Sequence, residues 1–84
     1  MRLDKYLKVS RIIKRRSIAK EISDAGRVKI NGKQAKSSSQ LEIGDVLDIQ
    51  HGQKHIRIEV LLFKDSTKKE DAQMLYKLLE EDVN

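Results

Sequence analysis

Apolar residues recur at helical spacing in the first quarter of the chain. Two sets of residues lie three and four positions apart, which is the spacing of one helix face: Leu3, Tyr6 and Leu7, and then Ile18, Ala19 and Ile22. They predict one helix over residues 3–9 and a second over residues 16–25. Gly26 follows at the position where a left-handed residue commonly ends a helix. Helices this short are stable only when they pack on each other or on a sheet.

Beyond the second helix the pattern changes to the alternation of strands. Asn31-Gly32 is typical of a two-residue hairpin turn, and a second turn is predicted at residues 51–53. A polar loop over residues 37–40 and a Gly-Asp turn at residues 44–45 separate the two hairpins. The predicted strands are residues 27–30, 33–36, 46–50 and 56–60.

The last quarter of the chain carries the signals of a further helix. Residues 67–70 (TKKE) fit a capping box, in which the Thr and Glu side chains bind free amides at a helix start. One helical face then carries Ala72, Leu75, Tyr76 and Leu79. We therefore predict an α+β fold: two short packed helices on a small curved antiparallel or mixed sheet, with an added C-terminal helix. Residues 1–62 are the predicted main domain and residues 63–84 a C-terminal helical extension.

Composition limits the class of protein. The chain has 84 residues, which is the size of one domain, and it has no cysteine, which excludes disulfides and thiolate chemistry. The N-terminus has no apolar run of the kind found in signal peptides. No stretch approaches the roughly 18 apolar residues of a membrane span. We expect a cytoplasmic protein with no membrane partner.

Charge is divided unevenly along the chain. Residues 1–36 contain twelve Lys and Arg against three acidic residues, a net charge of +9, whereas residues 37–84 carry −4. This separation favours a polyanion such as nucleic acid as partner, although a solvated charged surface stays open at this point. Only three aromatic residues are present, which argues against a stacking platform for single-stranded bases.

The cations are concentrated on the two predicted N-terminal helices and the connector between them. Eight lie within nineteen positions: Arg2, Lys5, Lys8, Arg11, Lys14, Arg15, Arg16 and Lys20. If the helices pack through their apolar faces, these side chains converge on the outside, where a guanidinium can hold a phosphate with two hydrogen bonds. Asp4 has two compatible interpretations: a favourable charge at a helix N-terminus, and a carboxylate that orients Arg2 or a nearby cation.

Catalytic and metal chemistry lack candidate residues. The only histidines, His51 and His55, lie in or beside a predicted turn, and the sequence around them offers few carboxylates and no cysteine. The serines at 37–39 have no base at a recognisable spacing, and no phosphate-binding glycine loop is present. We therefore expect no enzyme activity, no cofactor and no metal.

Four segments together resemble the RNA-binding domain named after ribosomal small-subunit protein four, the S4 domain. They are RLDKYL at residues 2–7, KRRSIA at 14–19, GRVKINGK at 26–33 and GDVLDI at 44–49. The resemblance implies two helices on a curved sheet whose outer face docks on structured RNA. It also implies RNA contacts by five of the cations above: Arg2, Lys5, Arg11, Arg15 and Arg16. The full set of predicted RNA-binding residues is the eight cations and Lys33. Many members have Ser or Thr where this chain has Arg15, so either Ser17 caps the second helix or packing holds its start.

Within that family, the chain is most similar to small stand-alone bacterial proteins of ribosome-associated quality control, a group related to the small heat-shock S4 proteins. The resemblance implies a protein that binds the large ribosomal subunit through ribosomal RNA and tRNA, and we expect it to be a monomer. There it assists the partner factor that adds alanine tails to stalled chains. Two alternatives stay open: a protein-interaction adaptor that uses the basic face and the C-terminal helix, and another ribosome-assembly or heat-shock RNA-binding factor.

Overall fold

Two α-helices at the start of the chain pack against a five-stranded sheet in the computed structural model, which describes residues 1–83. A short 3-10 helix, Lys69–Leu75, precedes the last strand. The α-helices are α1 (Leu3–Val9) and α2 (Arg16–Asp24). The strands are β1 (Val28–Ile30), β2 (Lys33–Gln34), β3 (Val46–His51), β4 (Lys54–Val60) and β5 (Tyr76–Val83).

The sheet has the order β2-β1-β3-β4-β5, and every neighbouring pair is antiparallel. Asn31 and Gly32 join β1 to β2 with φ of 52° and 84°, the left-handed values that a tight hairpin turn requires. The register between β4 and β5 shifts at Arg57/Ile58, which is a β-bulge and increases the local twist. The predicted α+β fold is therefore confirmed, with a fully antiparallel sheet.

One hydrophobic core joins both α-helices to the inner face of the sheet. Every second residue of β3 and β4 points into it, so that a strand buries one face and exposes the other. The fully buried large side chains are Tyr6, Leu3, Leu7, Leu47, Ile49, Ile58, Leu75, Val28 and Val60. The outer face of α1 and α2, which carries the cations, is thereby left to solvent.

The ends of α2 settle the question raised by Arg15. The helix begins at Arg16, and no side chain caps its first turn, so the Ser17 cap is absent. Packing of Ala19 and Ile22 in the core holds the helix instead. At the other end Gly26 has φ of 80°, and the amides of Gly26 and Arg27 bond back to the carbonyls of the last turn. This left-handed stop is the predicted one.

The predicted C-terminal helix is wrong beyond Leu75. The 3-10 helix ends there, and Tyr76 and Leu79 belong to β5, where Tyr76 lies opposite Val60. β5 forms because β4 has an edge that needs a partner, and this long-range pairing overrides the local helical spacing. The capping box is also absent: the Thr67 hydroxyl donates to the carbonyl of Val9, 2.7 Å away, rather than to its own helix. The division of the chain at residue 62 stays a prediction.

Candidate nucleic-acid interface

Asp4 lies between two arginines on the helical face of the protein. Its carboxylate is only 4% exposed, and its Oδ1 atom lies 3.3 Å from Nε of Arg2 and 3.3 Å from Nη2 of Arg16. Oδ1 also accepts the backbone amide of Lys5 at 2.8 Å. The two arginine side chains are 44% and 50% exposed. Because a guanidinium has five N–H donors, both arginines can bind an anion while Asp4 holds them in place.

The backbone around Asp4 is fixed by the polar loop before β3. The amides of Leu3 and Asp4 donate to the carbonyls of Ser39 and Ser37, at 2.8 Å and 3.1 Å. Ser37 in turn donates from its amide and its hydroxyl to the carboxylate of Asp24, and these bonds hold the pKa of Asp24 below its ordinary value. The loop therefore ties the start of α1 to the end of α2, and so positions Asp4 against α2.

Lys5 and Arg11 contact a loop from the C-terminal half of the chain. Lys5 Nζ lies 2.8 Å from Oδ1 of Asp65, and this ammonium holds the pKa of the exposed Asp65 carboxyl below its ordinary value. Arg11 donates from Nη2 to the carbonyl of Thr67 at 3.2 Å. The loop and the two cations border a shallow pocket of about 250 Å³. These two predicted RNA contacts are therefore also contacts that hold the loop on α1.

The remaining predicted cations carry no such contact. Among residues 1–83, no ion pair or side-chain hydrogen bond involves the exposed residues Lys8, Lys14, Arg15, Lys20 and Lys33. The first four lie with the other cations on α1, α2 and their connector. Lys33 lies on β2, the edge strand opposite β5. The structure thus brings eight of the nine predicted cations onto one helical unit and leaves Lys33 on the sheet.

Sequence reasoning missed Asp65 and Thr67 as residues of this surface. They meet Lys5 and Arg11, which are 60 and 56 positions earlier in the chain. No periodicity links residues at that separation. Thr67 did carry a signal, but the capping-box pattern assigned it to the wrong bond. The link between Asp4 and Arg16 also depends on how α1 and α2 pack, which spacing alone does not define.

The arrangement can bind phosphates by charge and by hydrogen bonds. Arg2 and Arg16 present oriented donors, and Lys8, Lys14, Arg15 and Lys20 add positive charge on the same helical unit. Within the described part of the chain, no group of three or more His, Cys, Asp or Glu could hold a metal ion. No described helix is long and apolar enough to cross a membrane. The site has the chemistry of an anion-binding surface.

Comparison with known proteins identifies the family. The model of the S4 domain matches residues 1–47, and the chain belongs to the S4-domain family. Its relatives include the RQC P-site tRNA stabilizing factor of Streptococcus pneumoniae, 58% identical over 96% of this chain and 92% of that protein. The protein of the same name from Bacillus subtilis is 55% identical over 98% of this chain and 95% of that protein. The predicted family resemblance is therefore confirmed.

A solved structure agrees with the fold. The trimeric structure of Vibrio cholerae heat shock protein 15 superposes with a TM-score of 0.88. It is 34% identical and covers 94% of this chain and 81% of that one. The relation to heat-shock S4 proteins is thereby confirmed as well.

Proposed function

We propose that this protein is a non-catalytic RNA-binding factor of ribosome-associated quality control that acts in the cytoplasm. It docks on the large ribosomal subunit as a monomer and contacts ribosomal RNA and the P-site tRNA. The observation that carries this proposal is the Arg2–Asp4–Arg16 arrangement on a basic helical face. That face belongs to a chain 58% identical to a P-site tRNA stabilizing factor.

The basic face recognises RNA through its backbone. Arg2 and Arg16 hold phosphates with oriented N–H donors, while Lys8, Lys14 and Arg15 add charge around them. Phosphate contacts fix a protein in register without reading sequence, and paired RNA is recognised mainly by shape, phosphates and 2′-hydroxyls. This recognition suits a factor that docks on folded ribosomal RNA and tRNA.

Binding alone explains how such a factor assists alanine tailing. A protein that binds the subunit only while tRNA occupies the P site stabilises that occupied state by mass action. The partner that adds alanine then has a longer time to act on the stalled chain. No catalytic group is required of this protein.

The adaptor alternative loses its main feature. Ala72 and Leu75 are 3% and 0% exposed and are part of the protein's own interior, while Leu79 lies on β5. Tyr76, the fourth residue of the predicted face, also lies on β5, so the four residues do not form one helical face for a protein partner.

The test is sucrose-gradient sedimentation of the tagged protein from growing cells. We expect the wild type to migrate with free large subunits and the double variant Arg15→Glu/Arg16→Glu to remain at the top of the gradient. Lys68→Glu/Lys69→Glu makes the same charge change next to and within the 3-10 helix and should retain most of the association. Circular dichroism of each variant checks that it folds.

Two results would contradict the proposal. Wild-type protein found only at the top of the gradient at low salt rejects ribosome binding, and a search for an acidic protein partner then follows. If Lys68→Glu/Lys69→Glu loses more ribosome association than the arginine variant does, the 3-10 helix, rather than the helical pair, makes the contact with the ribosome.

A further inference from the structure

A groove with an apolar floor interrupts the basic surface. It lies between the connector that follows α1, the first turn of α2 and the end of β3, and its volume is about 560 Å³. Binding sites for small ligands have volumes of about 300–1,000 Å³. The lining residues are Ile12, Ile13, Lys14, Arg15, Ile18 and His51.

The connector creates the groove by an unusual backbone turn. Arg11 has φ of 61°, a left-handed value that is uncommon for a residue with a side chain, and it redirects the chain at the end of α1. Ile13 then packs into the core at 3% exposure, and its amide bonds to the carbonyl of Leu7. Ile12 and Ile18 stay half-buried and packed against the core, so part of their apolar surface faces the groove.

The rim of the groove complements a nucleotide. No carboxylate lines it, and within residues 1–83 neither Lys14 nor Arg15 is engaged by an acidic side chain. The side chains of Arg15 and His51 end in planar groups, a guanidinium and an imidazole, and unstacked RNA bases pack on such planes. A phosphate gains nothing from an apolar floor, whereas the flat face of a base can pack against it. The combination therefore matches a base with its flanking phosphates better than it matches a phosphate alone.

We propose that this groove holds one unstacked base of the bound RNA. The base lies on Ile12 and Ile18 beside the planes of Arg15 and His51, and Lys14 and Arg15 contact the adjacent phosphates. The inference rests on the proposed RNA-binding function and adds a specific requirement to it. The RNA target must present an unpaired nucleotide, in a bulge or a loop, next to a helix whose backbone the arginine pair contacts.

The test compares two RNA hairpins that differ by one bulged uridine. Fluorescence anisotropy should show about tenfold tighter binding of the bulged hairpin, because the base removes apolar surface of the isoleucines from water. Ile12→Ser and Ile18→Ser should each reduce this preference at unchanged salt dependence. Ile43→Ser is the matched control, since Ile43 is 56% exposed and does not line the groove. A bulged 4-thiouridine should crosslink to the segment 12–18 or to His51.

The outcomes separate the inference from the proposed function. Binding of both hairpins with equal affinity, or crosslinks that map only elsewhere, overturns the groove assignment and leaves RNA binding intact. Failure of the wild type to bind either hairpin at low salt overturns both. Ile18 also packs on the core, so Ile12→Ser decides the case if Ile18→Ser unfolds. Tighter binding of an acidic apolar peptide than of the bulged RNA, with competition between them, assigns the groove to a protein partner instead.

Discussion

Asp4 should affect RNA binding in two opposite ways: its charge repels phosphate, and its contacts orient two arginines. A carboxylate repels phosphate, yet this one lies between two arginines of the basic face, where it accepts hydrogen bonds from Arg2, Arg16 and the amide of Lys5. Its burial keeps the negative charge away from the surface, and the hydrogen bonds that its oxygen atoms accept limit the rotamers of Arg2 and Arg16. The entropy lost when each arginine binds a phosphate is then smaller.

The variant Asp4→Asn tests which role dominates. It raises the net charge from +5 to +6, so simple attraction predicts tighter RNA binding. We expect weaker binding, because Arg2 and Arg16 lose the charged acceptor that orients them. Stability should fall by about 1–2 kcal/mol, less than a fully buried charged bond contributes, since both arginines are half exposed.

Glu21→Gln is the control for Asp4→Asn because it makes the same charge change at an exposed position of α2. Anisotropy with a structured RNA measures affinity, and urea unfolding measures stability. If both variants bind RNA more tightly, Asp4 has no orienting role.

Tyr6 makes stability depend on pH in the alkaline range. Its hydroxyl is buried and donates to the carbonyl of Leu75 at 2.6 Å, and burial raises the pKa of Tyr6 well above its ordinary value. The folded protein therefore keeps this proton while the unfolded chain loses it. The stabilisation is complete below about pH 10 and is lost as the pH rises above that value.

Tyr6→Phe should therefore cost about 0.5–1.5 kcal/mol at pH 8, the usual contribution of one hydrogen bond. At pH 11 its cost should fall by about 1.4 kcal/mol, because only the wild-type unfolded state gains from ionising Tyr6. Urea unfolding at the two pH values measures both differences. Tyr76→Phe leaves the Tyr6 hydroxyl in place, so this variant should lose as much stability between pH 8 and pH 11 as the wild type does. An equal cost of Tyr6→Phe at both pH values contradicts this account.

At the scale of elements, the loop of residues 65–67 holds the end of α1. The Thr67 hydroxyl donates to the carbonyl of Val9, one of the carbonyls that a helix end leaves unpaired, and Arg11 donates to the carbonyl of Thr67. We expect Thr67→Val to lower the free energy of unfolding by about 0.5–1.5 kcal/mol and Thr67→Ser to restore most of it.

A second variant distinguishes the observed bond between Thr67 and Val9 from a capping box. A capping box requires the Glu70 carboxylate as well, whereas the structure shows no side-chain cap on the 3-10 helix. Glu70→Ala should therefore leave the urea midpoint unchanged. If Glu70→Ala loses as much stability toward urea as Thr67→Val does, the observed geometry is contradicted.

The elements that sequence reasoning predicted well are those that local rules define. The helices over α1 and α2, the stop at Gly26 and the Asn31-Gly32 turn depend on spacing and on backbone freedom. The C-terminal segment failed because the register shift between β4 and β5 breaks the two-residue alternation of β5. The spacing of the apolar residues in this segment then resembles that of a helix, and the segment becomes a strand only because it pairs with the open edge of β4.

For the interface, composition and resemblance predicted a set of cations, and the structure adds the contacts that these cations make within the protein. Eight cations could be predicted as one group because they are close together in sequence. The pairing of Asp4 with Arg16 and the contact of Lys5 with Asp65 join distant segments, and no local pattern encodes them.

At the scale of the whole molecule, the division of charge becomes a division between surfaces. Eight of the twelve cations of residues 1–36 lie on α1, α2 and their connector. On β5, by contrast, the carboxylates of Glu80 and Glu81 are balanced by Arg57 and Lys54 of β4. We therefore expect an approaching polyanion to meet the protein at the side that carries α1 and α2. Orientation before contact raises the rate of productive association.

The salt dependence of RNA binding measures this surface directly. Each phosphate contact changes the slope of log K against log salt by about 0.7–0.9. Arg15→Gln should lower the magnitude of the slope by that amount without loss of stability, because among residues 1–83 Arg15 bonds to no acidic side chain. Lys77→Gln removes an equal charge from exposed β5 and should leave the slope unchanged. Equal slope changes in the two variants show that binding follows net charge, and the helical pair then has no special role.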